Sequence, residues 1–593
     1  MIRLADYVMQ RLYEASCEHV FLVTGRGMLF LSDALARHED LKSVPVHHEQ
    51  SASYAAMAYS QASQKLGVCM VSTGCASTNA ITGVLCAWQD DVPCIFISGQ
   101  HKLEETVNYT QLPIRTYGQQ EADIVSLVSP ITKYAVMIKN KADIAFEIDK
   151  AIHLAQSGRK GPVWIDIPLC IQNARIEPSE LLRYTPETEE TPFLSEETTN
   201  YVVNALNDSQ RPVILIGGGV RSAKAVEELN MLLNKFNFPV VYAASATDVV
   251  DPEKVLSMGC VGAMGANRSA NFTVQNADLV LIIGCRLTSM VRGDDVNKFA
   301  RDAKIIAVDI DEHEHQKHKN KIDKFIHSDA KVFINNLLQE KINLTQSDWI
   351  KQCLHWKQIF LKCENQYRES EKVDLYYLSE ILTKYLPDDA ICVTDSGLEE
   401  LIIPTTVNFK KDQRVIHPVS QGAMGYALPA AIGAYYSTKK PVIAIIGDGS
   451  IMMNVQELQT IQYHNLPIKI LVINNNGYAV IRKRQQDLFR SRTIGTDKEN
   501  GVSFANFKKL ADCFDISYEL IESTKELDKL ENVFASNGSV LCEIMAKEDQ
   551  EYIHSSYRKN ANGKFLQPPI EDQSPFLERD LFLSEMIVTP IDQ

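Results

Sequence analysis

Short apolar runs, rich in β-branched residues, alternate with glycine-rich turns and with stretches of helical periodicity along most of the chain. This alternation is typical of βα units, which place their strands side by side in a parallel sheet. The pattern repeats in three blocks that are separated by polar stretches. We therefore predict an α/β protein with three doubly wound parallel-sheet domains.

The blocks also give the predicted domain bounds. These are an N-terminal domain at residues 1–175, a central domain at 190–345, a C-terminal domain at 370–550 and a tail or lid at 551–593. The polar stretch PETEETPFLSEETT, between the first two domains, is typical of a linker. A charged helical connector is predicted between the second and third domains.

Composition narrows the class of protein. The 593 residues exceed what one hydrophobic core can hold, and the formal net charge of −15 argues against nucleic-acid binding. No apolar run reaches membrane-spanning length. The 13 scattered cysteines form no CxxC pair, which indicates a reducing compartment. We expect a cytoplasmic protein without nucleic-acid or membrane partners.

Two polar clusters are predicted to lie on solvated surface. One is the basic run Arg482-Lys483-Arg484, because such runs usually form a solvated face. The other is the histidine group at His313, His315 and His318, which has no strand or cysteine context typical of a metal site.

The third block carries the strongest chemical signal. One apolar run leads into Gly447–Ser450 (GDGS), and the next ends in Asn474–Gly477 (NNNG). Asp448 and Asn475 are 27 residues apart (475 − 448), the span of one βα unit. Both side chains are therefore predicted at the carboxyl ends of neighbouring parallel strands, where ligands bind. GDG alone is a common turn, but with NN at this spacing it favours a site for Mg²⁺ and a diphosphate.

This arrangement resembles the diphosphate-binding motif of thiamine-diphosphate-dependent enzymes. The resemblance implies that thiamine diphosphate and Mg²⁺ are bound here, with Asp448, Asn475 and the Gly477 carbonyl on the metal. The cofactor-binding residues implied with them are Gly447, Asp448, Gly449, Ser450, Asn475, Gly477 and Tyr478.

A glutamate in the first block has two interpretations. Glu49 follows a short apolar run and begins a helical stretch of small residues, where an acid simply stabilises the helix start. Beside a thiamine site it gains a chemical role, because a ring nitrogen of the cofactor's aminopyrimidine has to be protonated. Glu49 matches the catalytic glutamate of the acetolactate-synthase-like branch.

The segment Gln421–Ala431 (QGAMGYALPAA) could be only a small-residue helix start packed on a sheet. It also resembles the family segment that supports the bent cofactor. That resemblance implies that the Gly422 carbonyl accepts from the cofactor's amino group and that Met424 lies between its two rings. Gln120 falls on a family glutamine near the reacting carbon.

The motifs are similar to those of acetolactate synthases along nearly the whole chain. The similarity implies an N-terminal pyrimidine-binding domain, a central domain and a C-terminal diphosphate-binding domain. It also implies a homodimer or a dimer of dimers, with each active site at the interface of two chains. The central domain is similar to the family at the flavin-binding positions, which implies FAD as a further cofactor on Gly217, Gly218, Gly219, Arg286, Asp309 and Asp329. Glycine-rich turns after strands are common, so a structural domain without flavin stays the alternative.

The chain departs from acetolactate synthases around the acceptor. Gln119 replaces a family phenylalanine, Cys75 and Ala76 replace a usual Pro and Gly, and the family tryptophan after the NN motif is absent. The segment after that motif and the tail resemble thiamine enzymes of bacterial surface-sugar pathways. These departures leave the acceptor open and favour a polar one.

Three functions stay open at this point. The first is decarboxylation of a 2-oxoacid, with pyruvate as the expected donor, and ligation to a carbonyl acceptor. The second is another thiamine reaction: that of a carboligase for a keto-sugar nucleotide, a C–C hydrolase, an oxidase or a simple decarboxylase. The third is a catalytically inactive structural paralogue, which the intact Glu49, Asp448 and Asn475 disfavour.

Overall fold

The computed structural model describes residues 1–186, 194–318, 321–342, 346–559, 563 and 565–591. These residues build three six-stranded sheets, in which all neighbouring strands run parallel. The predicted fold class is confirmed. Residues 187–193 of the predicted linker and residues 343–345 at the predicted end of the central domain lie outside the described residues.

The first sheet contains β1 (His19–Leu22), β2 (Lys42–Pro45), β3 (Gly67–Val71), β4 (Cys94–Gln100), β5 (Tyr134–Met137) and β6 (Val163–Pro168). Its strand order is β2-β1-β3-β4-β6-β5. The helices around it are α1 (Leu4–Glu14), α2 (Leu29–Arg37), α3 (Glu49–Ser63), α4 (Cys75–Asn79), α5 (Ile81–Gln89), α6 (Val107–Thr110), α7 (Ile124–Val128), α8 (Ile144–Gln156) and α9 (Leu169–Gln172).

The central sheet contains β7 (Pro212–Ile216), β8 (Val240–Tyr242), β9 (Ser257–Cys260), β10 (Leu279–Ile283), β11 (Lys304–Asp309) and β12 (Lys324–His327). Its helices are α10 (Glu196–Asp208), α11 (Gly219–Ser222), α12 (Val226–Phe236), α13 (Arg268–Gln275), α14 (Ser289–Arg292) and α15 (Ala330–Gln339). The strand order is β9-β8-β7-β10-β11-β12. This order reverses between β7 and β10, as in dinucleotide-binding sheets, which bind their ligand at that point.

Helices α16 (Ser347–Ile359) and α17 (Asn365–Arg368) form the predicted connector. The third sheet then contains β13 (Ile391–Thr394), β14 (Arg414–Ile416), β15 (Val442–Gly447), β16 (Lys469–Asn474), β17 (Ser517–Ile521) and β18 (Val540–Met545). Its helices are α18 (Leu375–Tyr385), α19 (Leu398–Thr406), α20 (Ala427–Thr438), α21 (Glu457–Tyr463), α22 (Ala479–Leu488), α23 (Phe507–Cys513) and α24 (Lys529–Ala535). The order β14-β13-β15-β16-β18-β17 repeats that of the first sheet.

The first and third domains pack on each other through α3 and α20. Both helices are built largely from alanine and other small residues and are buried over most of their length. A Cβ on Gly433 would lie 2.0 Å from the Ala55 carbonyl oxygen, so the two backbones touch at that point. The Tyr54 and Tyr426 rings lie 5.1 Å apart, and the Tyr426 hydroxyl donates to Gln61. The core of the first domain is therefore continuous with that of the third.

The central and third domains are joined by a buried carboxylate. Asp248 pairs with Arg221 at 2.9 Å and with Arg414 at 2.7 Å. Burial alone would raise the pKa of Asp248, but the two guanidinium groups lower it to about 2. Asp248 is therefore an anion at neutral pH, and its two partners keep the charge compensated.

The predicted tail packs against the central domain. Helix α25 (Arg579–Glu585) places Phe582 against Phe272, with ring centroids 5.9 Å apart. Glu571 is buried and pairs with Arg301 at 2.7 Å. Two short antiparallel strand pairs complete the described structure: Ile2–Arg3 with Arg175–Ile176, and Arg558–Lys559 with Phe565–Leu566. Across the described ranges, every helix is too short or too polar to span a lipid bilayer.

The prediction of a solvated histidine surface was wrong for two of its three members. His313 is exposed, but His315 and His318 are buried. The loop after β11 folds back on the domain, so that the His318 ring nitrogen Nε2 hydrogen-bonds the Leu287 carbonyl at 3.0 Å and the His315 ring packs 5.8 Å from that of Phe325. No periodicity in the sequence marks this loop as buried.

Candidate active site

The GDGS and NNNG turns meet at the carboxyl edge of the third sheet. Gly447, the last residue of β15, pairs with Ile473 of β16, and the Asp448 amide donates to the Ile473 carbonyl at 3.0 Å. The Asp448 carboxylate in turn accepts from the Gly477 amide at 3.2 Å. Burial raises the pKa of Asp448 to about 7, although backbone amides around it act in the opposite direction. Asp448 is therefore a buried carboxylate that forms no ion pair with any described side chain.

Asn475 supplies the second oxygen of this edge. Its side chain is buried, and no hydrogen-bond donor among the described residues reaches its Oδ1 atom. A buried polar atom without a partner is costly and points to something that binds it. A carboxylate and an unpaired amide oxygen are the hard donors that Mg²⁺ prefers, so these residues fit the implied metal.

Asp395 organises the same edge, and the sequence analysis missed it. It follows β13 directly, accepts from the Ser450 hydroxyl, and accepts from the Ala427 amide at 3.1 Å. Ser450 also accepts from the Gly425 amide at 2.9 Å. The GDGS turn is thereby tied to the start of α20. The only sequence signal for Asp395 is its place after an apolar run, in the sequence TDSG.

Glu399 is a second acid that the sequence analysis missed. It is buried, and a Cβ on Gly397 or Gly447 would lie 2.6 and 2.9 Å from its carboxylate oxygens. Burial raises the pKa of Glu399 well above its ordinary value, and Asp395 and Asp448 add to the effect. A bound cation would offset the negative charge that gathers at this edge.

The predicted cofactor-supporting segment lies beside the metal edge. Gly422 has a left-handed backbone (φ 55°), and no donor among the described residues reaches its carbonyl. Met424 is half-buried. The Tyr478 ring covers Gly449, where a Cβ would lie 2.2 Å from the ring. Gly447, Gly449, Ser450, Gly477 and Tyr478 thus surround one edge together with Gly422 and Met424.

Glu49 lies at the first position of α3, as the sequence predicts. His48 caps this helix by accepting from the Gln50 amide. The Glu49 carboxylate is half-exposed and accepts from the Asn79 side chain at 2.9 Å, and Asn79 ends α4. Glu49 therefore faces an open surface of the first domain.

Gln120 lies at the same end of the first domain. Its backbone is left-handed (φ 64°), and its carbonyl accepts from the Thr73 hydroxyl at 3.1 Å. A Cβ on Gly74 would lie 2.3 Å from that carbonyl, so the loop needs glycine there. The Gln120 side chain is exposed. Cys75, which follows Gly74 in the sequence, is also exposed.

The structure thus brings the predicted residues together in two groups. Asp448, Asn475 and Gly422 belong to one group, and Glu49 and Gln120 belong to the other. No hydrogen bond or ion pair in the described ranges joins Glu49 to any member of the first group.

A cavity of about 540 Å³ lies where the three domains meet. Five of the predicted flavin-binding residues line it: Gly218, Gly219, Arg286, Asp309 and Asp329. The sixth, Gly217, is not among the lining residues, and a Cβ there would lie 2.3 Å from the Gly284 carbonyl oxygen. The cavity lies at the point where the central strand order reverses, since β7 and β10 end there.

Arg286 reaches across the domains at this cavity. Its guanidinium donates to the Gln89 carbonyl of the first domain at 2.5 Å and to the Ser420 hydroxyl of the third at 2.8 Å. Neither acceptor is charged, and Arg286 forms no ion pair with a described carboxylate. Burial raises the pKa of nearby Asp90 and Asp91 and the Arg286 charge acts to lower it, but no direct ion pair occupies Arg286. A cationic side chain in this state at a strand switch point suits an anionic ligand such as a dinucleotide.

Three models of the thiamine pyrophosphate enzyme family match the chain. The N-terminal TPP binding domain matches residues 2–127, the central domain residues 199–337 and the C-terminal TPP binding domain residues 395–544. The matches leave out β5 and β6 of the first sheet and β13 of the third.

Relatives with curated names are similar along most of the chain. The acetolactate synthase large subunit of Lactococcus lactis subsp. lactis is 30% identical over 558 residues, 93% of each chain. That of Corynebacterium glutamicum is 33% identical over 507 residues, 84% of this chain and 78% of the relative. The isozyme 1 large subunit of Escherichia coli K12 is 28% identical over 92% of this chain and 94% of its own. The chain therefore belongs to the thiamine-diphosphate-dependent enzymes, in their acetolactate-synthase-like branch.

Proposed function

We propose that this enzyme uses Mg²⁺ and thiamine diphosphate to decarboxylate a 2-oxoacid, with pyruvate as donor, and to ligate the remaining fragment to a carbonyl acceptor. The observation that carries the proposal is the buried Asp448 carboxylate beside the unpaired Oδ1 atom of Asn475. The acetolactate synthases among its relatives support this reaction type.

In this proposal Asp448, Asn475 and the Gly477 carbonyl hold the metal, and the glycines around Asp448 leave room for the diphosphate. When bound, thiamine diphosphate supplies a carbon nucleophile and an electron sink. Glu49 holds a proton at the ring nitrogen of the aminopyrimidine, and Asn79 orients Glu49 through its 2.9 Å hydrogen bond.

The same proposal places each active site between two chains. Glu49 and Gln120 lie at one end of the first domain, and no hydrogen bond or ion pair among the described residues links either of them to Asp448 or Asn475. A second chain supplies the missing half in a closed, symmetric homodimer or in a dimer of dimers. All 13 cysteines are free thiols, which suits work in a reducing compartment such as the cytoplasm.

We further propose that FAD occupies the three-domain cavity. Arg286 compensates the diphosphate, and Asp309 and Asp329 follow two strands of the switch-point sheet and bind ribose or ribityl hydroxyl groups. The flavin would have a structural role, because residues of all three domains line its cavity.

One observation favours a second candidate for the acceptor. Helix α22 starts directly after Tyr478, and the Arg482 guanidinium would lie 2.7 Å from a Cβ on Gly477. The basic run thus lies beside the metal edge.

In this run the Arg482 guanidinium lies 3.7 Å from the Asp497 carboxylate, and the Lys483 ammonium lies 3.3 Å from that of Asp487. Arg484, the last residue of the run, and Arg490 and Arg492 after it do not pair with a described carboxylate. We call the basic run and these arginines the basic mouth of the site. In a chain of net charge −15, such a group of positive charges favours an anionic acceptor, such as a keto-sugar nucleotide.

The metal assignment is tested by two neighbouring asparagines. Asn475→Ala should weaken Mg²⁺-dependent binding of thiamine diphosphate at least about 10-fold, since even outer-shell partners of a metal are worth that much. Asn476→Ala should bind normally, because the Asn476 side chain donates outward to Glu548 at 2.7 Å. Isothermal titration calorimetry with and without Mg²⁺ measures both. Equal affinities for the two variants would contradict the assignment.

Glu49→Gln should keep the fold and still bind thiamine diphosphate, because size and shape are preserved. Exchange of the proton on the cofactor's reactive carbon with D₂O should slow by about 10²–10⁴-fold, the usual scale for a positioned acid–base group. Acid-quench NMR measures the exchange. Glu39→Gln, an exposed site in the same domain, is the matched control. Exchange at the wild-type rate in Glu49→Gln would reduce Glu49 to a helix-start acid.

The reaction itself is tested by product analysis. With Mg²⁺, thiamine diphosphate and pyruvate, the enzyme should release CO₂, and mass spectrometry should detect a ligated product when an acceptor is present. A phosphorylated aldehyde should give at least about 10-fold higher kcat/KM than the same aldehyde without phosphate, because the basic mouth attracts the anion. The preference should shrink as salt is added. No turnover of pyruvate would refute the donor, and equal rates would refute the anionic acceptor.

The flavin proposal is tested by absorbance. The wild-type protein should take up FAD and show a bound flavin spectrum, and Arg286→Gln should lower its FAD affinity about 10-fold or more, on the scale of a lost charge-assisted hydrogen bond. Lys411→Gln removes one exposed positive charge elsewhere and serves as control. A wild-type enzyme that turns over without taking up FAD would show that the cavity has another role.

A further inference from the structure

Arg26 is an exposed cation at the carboxyl edge of the first sheet, where it follows β1 after a short turn. The function proposed above gives it no role. Its Nη1 atom donates to the Oε1 atom of Gln119 at 2.6 Å, and Gln119 directly precedes Gln120. Arg26 forms no ion pair with a described carboxylate. Its charge is therefore open to a ligand at the end of the domain that carries Gln120.

Close packing holds the backbone on both sides of Arg26. The Gly27 amide donates to the Ser72 hydroxyl at 3.0 Å, and the Gly27 carbonyl accepts from the buried Gln172 side chain at 2.7 Å. A Cβ on Gly25 would lie 2.5 Å from the Ser72 Cβ atom, so this turn also lies directly against Ser72. A charged side chain that projects from such a fixed point is pre-organised for binding.

Arg26 is also a neighbour of the other predicted residues of this domain. Strand β1 lies between β2 and β3, so the segments that follow these three strands are adjacent. Glu49 follows β2, and residues 72–79 follow β3. The second residue of that segment donates from its hydroxyl to the Gln120 carbonyl at 3.1 Å, and the last, Asn79, donates to Glu49 at 2.9 Å. One segment therefore supports Arg26, Gln120 and Glu49 together.

The guanidinium group of Arg26 keeps most of its donors available. Gln119 accepts from one of the five N–H groups, and no other described residue accepts from the rest. A guanidinium with a free edge binds a carboxylate or a phosphate through two parallel hydrogen bonds. In the proposed reaction such an anion belongs either to the 2-oxoacid donor or to an anionic acceptor.

The chemistry of decarboxylation decides between these two substrates. The carboxylate of the donor loses its charge as it leaves as CO₂, so a cation bound to it would stabilise the ground state more than the transition state and slow the step. The anionic group of the acceptor keeps its charge throughout. We propose that Arg26 binds the carboxylate or phosphate of the acceptor and makes the enzyme specific for acidic acceptors. This inference rests on the proposed carboligation, with Gln120 near the reacting carbon.

Arg26 and the basic mouth act on the acceptor in different ways. The mouth belongs to the third domain and Arg26 to the first, so in the proposed two-chain site they come from different chains. The mouth raises the rate at which an anion arrives. Arg26 holds the anionic group by direct contact and so selects the acceptor that reacts.

The test compares charged and neutral acceptors on the full-length holoenzyme. With Mg²⁺, thiamine diphosphate and pyruvate, mass spectrometry of the ligated product gives kcat/KM for succinic semialdehyde against butanal and for glyceraldehyde 3-phosphate against glyceraldehyde. We expect Arg26→Gln to lower kcat/KM for a charged aldehyde about 10-fold or more, the scale of a hydrogen bond to a charged group. Both neutral aldehydes and the KM for pyruvate in CO₂ release should be unchanged. The pair with the larger loss shows whether Arg26 binds carboxylate or phosphate.

Two further variants serve as controls. Arg26→Lys keeps the charge but lacks the planar fork, so it should lose part of the same preference and leave the neutral aldehydes unchanged. It provides the comparison if Arg26→Gln does not fold. Arg37→Gln removes an exposed arginine at the other end of α2 and should change no acceptor, which excludes an effect of net charge alone.

Several results would overturn the inference. Equal losses for charged and neutral aldehydes would show that Arg26 only holds the loop of Gln119, and unchanged rates would leave the basic mouth as the source of any preference. A raised KM for pyruvate would assign Arg26 to the donor instead. A wild-type enzyme that ligates charged and neutral aldehydes equally well would also refute it. Failure of wild type to turn over pyruvate, or to ligate any of the aldehydes, refutes the proposed function itself, so the two failures can be told apart.

Discussion

The contact of α3 with α20 is the constraint on which the rest of the structure depends. Gly433 and Ala55 bring the two backbones together, and no side chain fits between them. This contact fixes the orientation of the first sheet relative to the third. It thereby also fixes where the carboxyl ends of the two sets of strands lie relative to each other. The first and third sheets share one strand order, and their two small-residue helices are the corresponding elements after the second strand of each. The chain thus uses one topology twice, with the predicted site residues Glu49 and Gln120 on one copy and Asp448 and Asn475 on the other.

Negative charge is the second common feature of the site. Asp395, Glu399 and Asp448 lie at one sheet edge, and burial raises the pKa of each. Such an edge is costly without a cation, because each buried carboxylate loses its hydration. The Oδ1 atom of Asn475 is a buried neutral acceptor that no described donor reaches, so it also needs a partner. A divalent cation would bind both kinds of oxygen at once. Asp448 and Asn475, which carry these oxygens, each follow directly after a strand.

The sequence was informative where one residue spacing implies one spatial relation. Asp448 and Asn475 could be placed together because a βα unit brings its strand ends side by side. Asp395 could not, because its partner Ser450 lies in another βα unit and only the strand order makes them neighbours. His315 and His318 failed differently, since an irregular loop has no periodicity from which burial can be inferred. The flavin role of Gly217 stays a prediction, and its close packing against Gly284 is a contact that the sequence does not reveal.

The central cavity and the thiamine edge are linked by hydrogen bonds, which connects two sites that the sequence treats separately. Asp90 lines the cavity. Arg286 lines the same cavity and donates to Ser420, the residue whose amide holds Asp90. Ser420 lies two residues before Gly422, so these hydrogen bonds join the cavity wall to the predicted cofactor-supporting segment. Burial raises the pKa of Asp90 to about 6, and the hydrogen bonds from Ser420 and the charge of Arg286 act in the opposite direction. An anion bound at Arg286 would therefore share the charge of this guanidinium with Asp90.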